Sequence, residues 1–331
     1  MSLFIDIKKE ELIYKPLVEP LVEPLLEPLV EPLVENIETN QIIKLVNKND
    51  IIKQAYVSYH ISHFSSFFFN IFNLKKYNNI SEPCIFFGCY DINDLNKILN
   101  HSGYKIIIWA GSDSDYKRRN FAKKALYYLK HAEKIFHIAI SEYIYSDLHY
   151  CKIPCKKITL CIKDINSYNP ITKGKSIYFY SSISNPDIYG CALFNIIYEK
   201  LKNKYNFIIG ICEGQKKHKN HKNTKIYPFL QKAKYYNNIK DIYSDCFIGL
   251  RLTQHDGNAN TVQELGMCGI KCFYNGDKNL KNTIRWKNAN DIIKNIEIEA
   301  QTIGNIDIDL SKKVKDYLKP NNNWLNINYY M

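Results

Sequence analysis

The chain has 331 residues, a length that suits two domains, and its 46% hydrophobic content is enough for sizeable cores. A formal charge of +12 accompanies an excess of Asn, Ile, Lys and Tyr (26 Tyr), the mark of an AT-rich genome rather than of a binding role. No RRM, KH or zinc-finger pattern accompanies the charge, so nucleic acid is not an expected partner, while an anionic small substrate is compatible with it.

Residues 16–35 repeat Pro-Leu-Val-Glu with a period of four. Proline in every turn removes a backbone donor and clashes with the preceding turn, so the segment is expected to be a disordered or extended arm outside the fold. Strands are then expected at 54–59, 84–88, 105–109, 135–140 and 157–162. Helices are expected at 64–74, 92–100, 118–131 and 142–150. Strands alternating with helices at this spacing imply a parallel, doubly wound sheet. Residues 163–175, with Asn-Pro and Gly, read as an interdomain linker. A second series follows: strands at 176–181, 206–211, 246–250 and 270–274, a short one at 226–228, and helices at 191–204, 239–243, 261–268, 290–301 and 310–318. The basic loop at 216–225, with His218 and His221, reads as solvated.

The most informative stretch is 246–274, CFIGLRLTQHDGNANTVQELGMCGIKCFY. It reads as strand, polar loop, helix, strand, with Thr261 as helix N-cap, Glu264 three residues on, and Gly269 at the far end. Such a loop and helix N-terminus lie where an open α/β sheet binds ligands, and free amide groups there suit a phosphate. The same residues also spell a capping box and an Asp-Gly turn, which imply no ligand.

Asp256 and Glu264 have seven residues between them, followed by Gly266-Met-Cys-Gly269. This resembles the nucleotide-sugar motif of GT-B glycosyltransferases, loosely matched also at 105–113 and 176–204. The resemblance implies two Rossmann-like domains facing a cleft: an arm at 1–48, an acceptor domain at 49–165, a donor domain at 170–318 and a tail at 319–331 that can pack back on the first domain. It implies that Asp256 contacts the donor sugar, Glu264 holds the ribose, and Gly257, Asn258, Asn260 and Thr261 line the diphosphate. The first acid is Asp where the family has Glu, which shortens its reach. The loop at 181–187 lacks the family's basic residue, leaving Arg251 as the candidate to neutralise the diphosphate. On the acceptor side the resemblance points to Gly111, Ser112, Asp113, His60 and His63. Asp113 would orient an acceptor hydroxyl, or act as a plain cap. His137 reads as a core histidine and Ser141 as an N-cap.

The implied activity is transfer of a sugar from a nucleotide diphosphate sugar to a glycan, protein or lipid acceptor, with retention of configuration and without a metal or further cofactor. An inactive nucleotide-sugar-binding partner protein of the same fold, or a sugar-nucleotide epimerase, are the other readings. Ten Cys without paired Cys-x-x-Cys spacing, no signal-peptide pattern and no apolar run of transmembrane length lead to an expected cytoplasmic location, the host cytoplasm for a viral chain, with peripheral membrane contact still open.

Overall fold

The first strand, β1 (Gln54–Val57), is followed by a 3-10 turn at Tyr59–Phe64, α1 (Ser65–Phe72), β2 (Lys75–Lys76), β3 (Cys84–Phe87), α2 (Ile92–Leu99), β4 (Lys105–Trp109), α3 (Asn120–Lys130), β5 (Ile135–Ala139), α4 (Glu142–Tyr150) and β6 (Cys155–Lys157). The computed structural model describes residues 51–211, 222–233 and 239–331; the Pro-Leu-Val-Glu arm, His218 and His221 lie outside them. The six strands form one parallel sheet in the order β2-β1-β3-β4-β5-β6. Strand order reverses between β1 and β3, the kind of point at which open α/β sheets bind ligands.

The second series runs β7 (Ser176–Ser181), α5 (Cys191–Leu201), β8 (Asn206–Ile211), α6 (Lys222–Ile226), α7 (Lys240–Tyr243), β9 (Cys246–Leu250), α8 (Asn260–Met267), β10 (Lys271–Phe273), β11 (Thr283–Ile284), α9 (Ala289–Glu299) and α10 (Ile308–Leu318). Its sheet is also parallel, in the order β11-β10-β9-β7-β8, with the reversal between β7 and β9. Both sheets belong to one compact unit, 47–331.

The alternation of strand side chains explains why these strands are apolar throughout. Tyr178, Cys246 and Cys272 pack with Val262 and Leu265 of α8 and Val314 and Leu318 of α10. Their neighbours Ile177, Phe179, Phe247 and Phe273 pack on the other face with Phe194 and Ile197 of α5 and Ile292 and Ile296 of α9. Helices thus cover both faces, the doubly wound arrangement expected.

The structure corrects four local expectations. Residues 157–162 are not a strand; the edge strand is Cys155–Lys157, paired with β5. Leu160, Cys161 and Ile162 are buried because they cross to the second domain, where Cys161 joins the core beside α8. Residues 226–228 are the end of α6 and the start of a 3-10 turn at Pro228–Lys232. The aromatic helix expected at 64–74 begins with the 3-10 turn and is α-helical only over Ser65–Phe72. Thr261 is not the N-cap: α8 is preceded by Ala259, which has no side-chain cap. Gly269 does close α8, at φ +80°, the left-handed conformation that glycine adopts without strain.

The last residues lie along the first domain. Ile52 N–H donates to Leu325 O at 2.8 Å, Trp324 packs edge-on against Phe72, and Tyr330 stacks on Phe136.

Candidate active site

The loop leaving β9 stands at the reversal point of the second sheet, and its first residue is Arg251. The Arg251 side chain is folded back: Nε donates to Asp256 Oδ2 at 2.7 Å, and the guanidinium lies 4.5 Å from the Tyr180 ring centroid and 5.1 Å from that of Tyr189. Both members of the pair are about nine-tenths buried, with side-chain exposures of 9% and 10%. Thr253 Oγ1 also reaches Asp256 Oδ2, at 3.4 Å. Two residues expected to work separately on sugar and phosphate therefore form one ion pair, and both hydrogen bonds to the Asp256 carboxylate fall on Oδ2. Arg251 is also not a solvated surface cation, because burial and two aromatic faces hold it.

Glu264 lies one turn into α8 and is 2% exposed. Oε1 is 2.8 Å from Lys163 Nζ, and Oε2 accepts from Tyr243 Oη at 2.7 Å. Burial, and then the Glu264 charge, pushes the Tyr168 phenol up. Thr261 contributes no hydrogen bond from its amide or hydroxyl to the described residues, so the start of α8 presents free donors. Asn258 Nδ2 donates to Asn260 Oδ1, and Gln263 Nε2 ties Asn258 Oδ1 to Leu160 O of the crossing segment.

The loop is closely applied to the first domain. Gly257 packs on the turn after β4 so tightly that a Cβ there would fall 1.9 Å from Ala110 O. Ser141 Oγ donates to Asp256 O at 2.8 Å, Tyr143 Oη to Thr253 O at 3.0 Å, and Arg118 Nη2 to Gln254 Oε1 at 2.8 Å. Ser141 caps α4 through Ile144 N as expected, and reaches the loop as well. His255 Nε2 meets Asp147 Oδ2 at 2.7 Å. Burial pulls the His255 imidazole down, but the Asp147 hydrogen bond and the charges of Asp147, Asp115 and Asp256 outweigh it, and its pKa is raised.

The acceptor-side residues divide. Asp113 is fully buried and accepts from the amides of Cys89, Ala110 and Gly111, so it staples the turn and does not face a ligand. Burial pushes its carboxyl up to about 6 against those amides. Gly111 does lie beside Gly257, and Ser112 Oγ accepts from Arg119 Nη1 at 3.1 Å. His60 is exposed and meets Asp91 at 3.1 Å. His63 is exposed at the surface, and partial burial of its ring, then the charge of Lys163, hold its imidazole low. Sequence reasoning missed Lys163, Tyr243, His255, Asp147 and Arg119. Of these, His255, directly before Asp256, and Arg119, six residues after Asp113, carried a local signal.

Among the described residues no group of three or more His, Cys, Asp or Glu is placed to hold a metal ion, and no helix is long and apolar enough to cross a membrane.

No protein-family model and no curated protein matches the sequence. Solved structures do. TarM superimposes with a TM-score of 0.53 at 16% identity, covering 75% of this chain and 55% of TarM. Anabaena Alr3699/HepE in complex with UDP gives 0.54 at 10% identity, over 81% of this chain and 80% of that one. These neighbours have the GT-B fold. The chain has the GT-B fold. Sucrose-phosphate synthase from Thermosynechococcus elongatus agrees, with a TM-score of 0.50 at 10% identity, over 75% and 71% of the two chains. This GT-B chain spans little more than half the length of TarM.

Proposed function

We propose that this GT-B chain transfers a sugar from a nucleotide diphosphate sugar to an acceptor held by the first domain. The observation that supports it best is the placement of α8. Its start presents the free Thr261 amide and hydroxyl, and Glu264 lies one turn further on, at the reversal point of the second sheet and against the first domain. Solved structures of HepE hold UDP with glucose, and UDP-glucose. On this reading Glu264 takes the ribose hydroxyls, the Thr261 amide and hydroxyl take the diphosphate, since the amides of Asn260, Val262 and Gln263 are already bonded, and Asp256 Oδ1 takes a sugar hydroxyl. Residues 49–165 form the acceptor domain and 170–318 the donor domain.

Chemistry is attack of an acceptor hydroxyl on the anomeric carbon as its bond to the nucleoside diphosphate breaks through an oxocarbenium-like centre, the hydroxyl proton passing to the departing diphosphate, with retained configuration and no metal in the mechanism. Fixed dipoles at the start of α8 stabilise the charge that develops on the leaving phosphate. Arg251 acts through Asp256, fixing the carboxylate, rather than on the phosphate itself. The seal between the loop and the first domain excludes the water that would hydrolyse the donor.

One observation favours a second reading. Arg251 and Asp256 neutralise each other, and both oxygens of Glu264 are engaged, as suits a binding partner that does not turn over. Release of nucleoside diphosphate from a panel of nucleotide sugars, with and without mixed glycan acceptors, separates the two. Acceptor-dependent release that Asp256→Asn lowers by about a hundredfold or more supports transfer. Donor binding with no release establishes the inactive partner, and absence of donor binding removes both.

A further inference from the structure

Lys163 belongs to the segment that crosses between the domains, yet its ammonium sits on the one carboxylate of α8. Its backbone is anchored there: Gln263 Nε2 donates to Leu160 O at 3.0 Å, and Cys161 Sγ reaches Lys163 O at 3.7 Å. The side chain is a quarter exposed and passes by Phe67 of α1, with Nζ 5.8 Å from the ring centroid, before reaching Glu264 at 2.8 Å. The pair is asymmetric. Glu264, 3% exposed in its side chain, needs a partner wherever Lys163 goes, whereas Lys163 is free to turn toward solvent or another anion.

Two facts decide where that anion would lie. Thr261, with its free amide, precedes Glu264 by three residues, a rise of about 4.5 Å along the helix and within the swing of a lysine stem. Arg251, the cation on the loop after β9, is already held by Asp256. Ribose hydroxyls can replace the hydrogen bonds that Lys163 gives to Glu264, but they cannot replace its charge partner. A ligand that brings its own anion can.

Building on the donor reading above, we infer that Lys163 is the specificity determinant for the diphosphate: it leaves Glu264 to the ribose and moves onto the phosphates. The pair therefore excludes nucleosides, which would displace the ammonium without offering it a charge, and admits nucleoside diphosphates, which offer both groups at once. Because Lys163 lies on the crossing segment, occupancy of the donor site is read directly at the connection between the domains.

The test is a calorimetric titration of the full chain with UDP, GDP and ADP and with uridine, guanosine and adenosine, in wild type, Lys163→Met and Lys163→Arg. Wild type is expected to bind one diphosphate far more tightly than its nucleoside. Lys163→Met should shrink that ratio by about tenfold or more, since a charge-assisted bond to phosphate is lost, and Lys163→Arg should keep most of it. A lysine that merely supports the fold would weaken both ligands alike and leave the ratio unchanged, which overturns the inference. Should Lys163→Met not fold, the double variant Lys163→Met/Glu264→Gln removes both charges together and must show the same collapsed ratio. If wild type binds none of the six ligands, the donor reading fails, and this inference with it.

Discussion

Arg251 Nε stands 2.7 Å from Asp256 Oδ2, and each side chain is about nine-tenths buried. The two residues are five positions apart in one loop, and their bond closes it. Removing one partner leaves a buried charge alone. Arg251→Met should therefore destabilise the chain by about 3–5 kcal/mol in urea unfolding, while Arg251→Met/Asp256→Asn should recover most of the loss. Equal destabilisation in both variants would show that the side-chain volume matters more than the charge.

Gly257 is where the loop after β9 meets the first domain. A methyl group there would press on Ala110 O at 1.9 Å, a backbone atom that cannot rotate away. Gly257→Ala should cost about 1–3 kcal/mol. It should also raise amide deuterium uptake across 251–258, because the bonds from Ser141, Tyr143 and Arg118 lose their register. Unchanged uptake would mean that the loop is not held by this contact.

His255 and Asp147 come from different domains and meet at 2.7 Å. The imidazole pKa is raised above its ordinary 6.5. A raised histidine contributes stability that is complete below 6.5 and is lost as pH climbs through the folded value. Wild type minus His255→Gln, followed by thermal unfolding, should thus show a stability difference that shrinks as pH rises above 6.5. A difference that does not vary with pH would mean that no charge is involved.

His137 titrates in the opposite sense. Trp109 Nε1 donates to its Nδ1 at 3.2 Å, and burial drives the imidazole down to about 4. A histidine held neutral contributes stability that is present above 6.5 and lost as pH falls toward 4. One proton taken up on unfolding gives a slope of about 1.4 kcal/mol per pH unit across that window. His137→Asn should flatten this acid slope in pH-dependent urea unfolding.

Much of the fold was legible because buried parallel strands are apolar runs of fixed length. β4 and β9 were expected within their observed bounds, and α4 likewise, with Ser141 as its cap. The edge strands Lys75–Lys76 and Thr283–Ile284 were invisible, since two residues hold no periodicity and an edge tolerates lysine. At 157–162 the apolar pattern was real, but the surface it buries belongs to the crossing segment. The site was legible only along the chain. The motif from Asp256 to Glu264 could be spelled out, whereas Lys163–Glu264 and Asp147–His255 join residues 101 and 108 positions apart, and no local pattern encodes such pairs. Asp113 misled because a turn-stapling carboxylate and a ligand-facing one follow the same glycine.

The account rests on Glu264 and the start of α8 as a nucleotide-sugar site, and thermal unfolding against a panel of nucleotide sugars tests it most directly. A donor at a hundred times its dissociation constant should add about 2.7 kcal/mol of stability. The account predicts such a shift with one donor, and its loss in a folded Glu264→Gln, where Lys163, a quarter exposed, can turn to solvent. No shift with any nucleotide sugar, or one that survives Glu264→Gln undiminished, would contradict it.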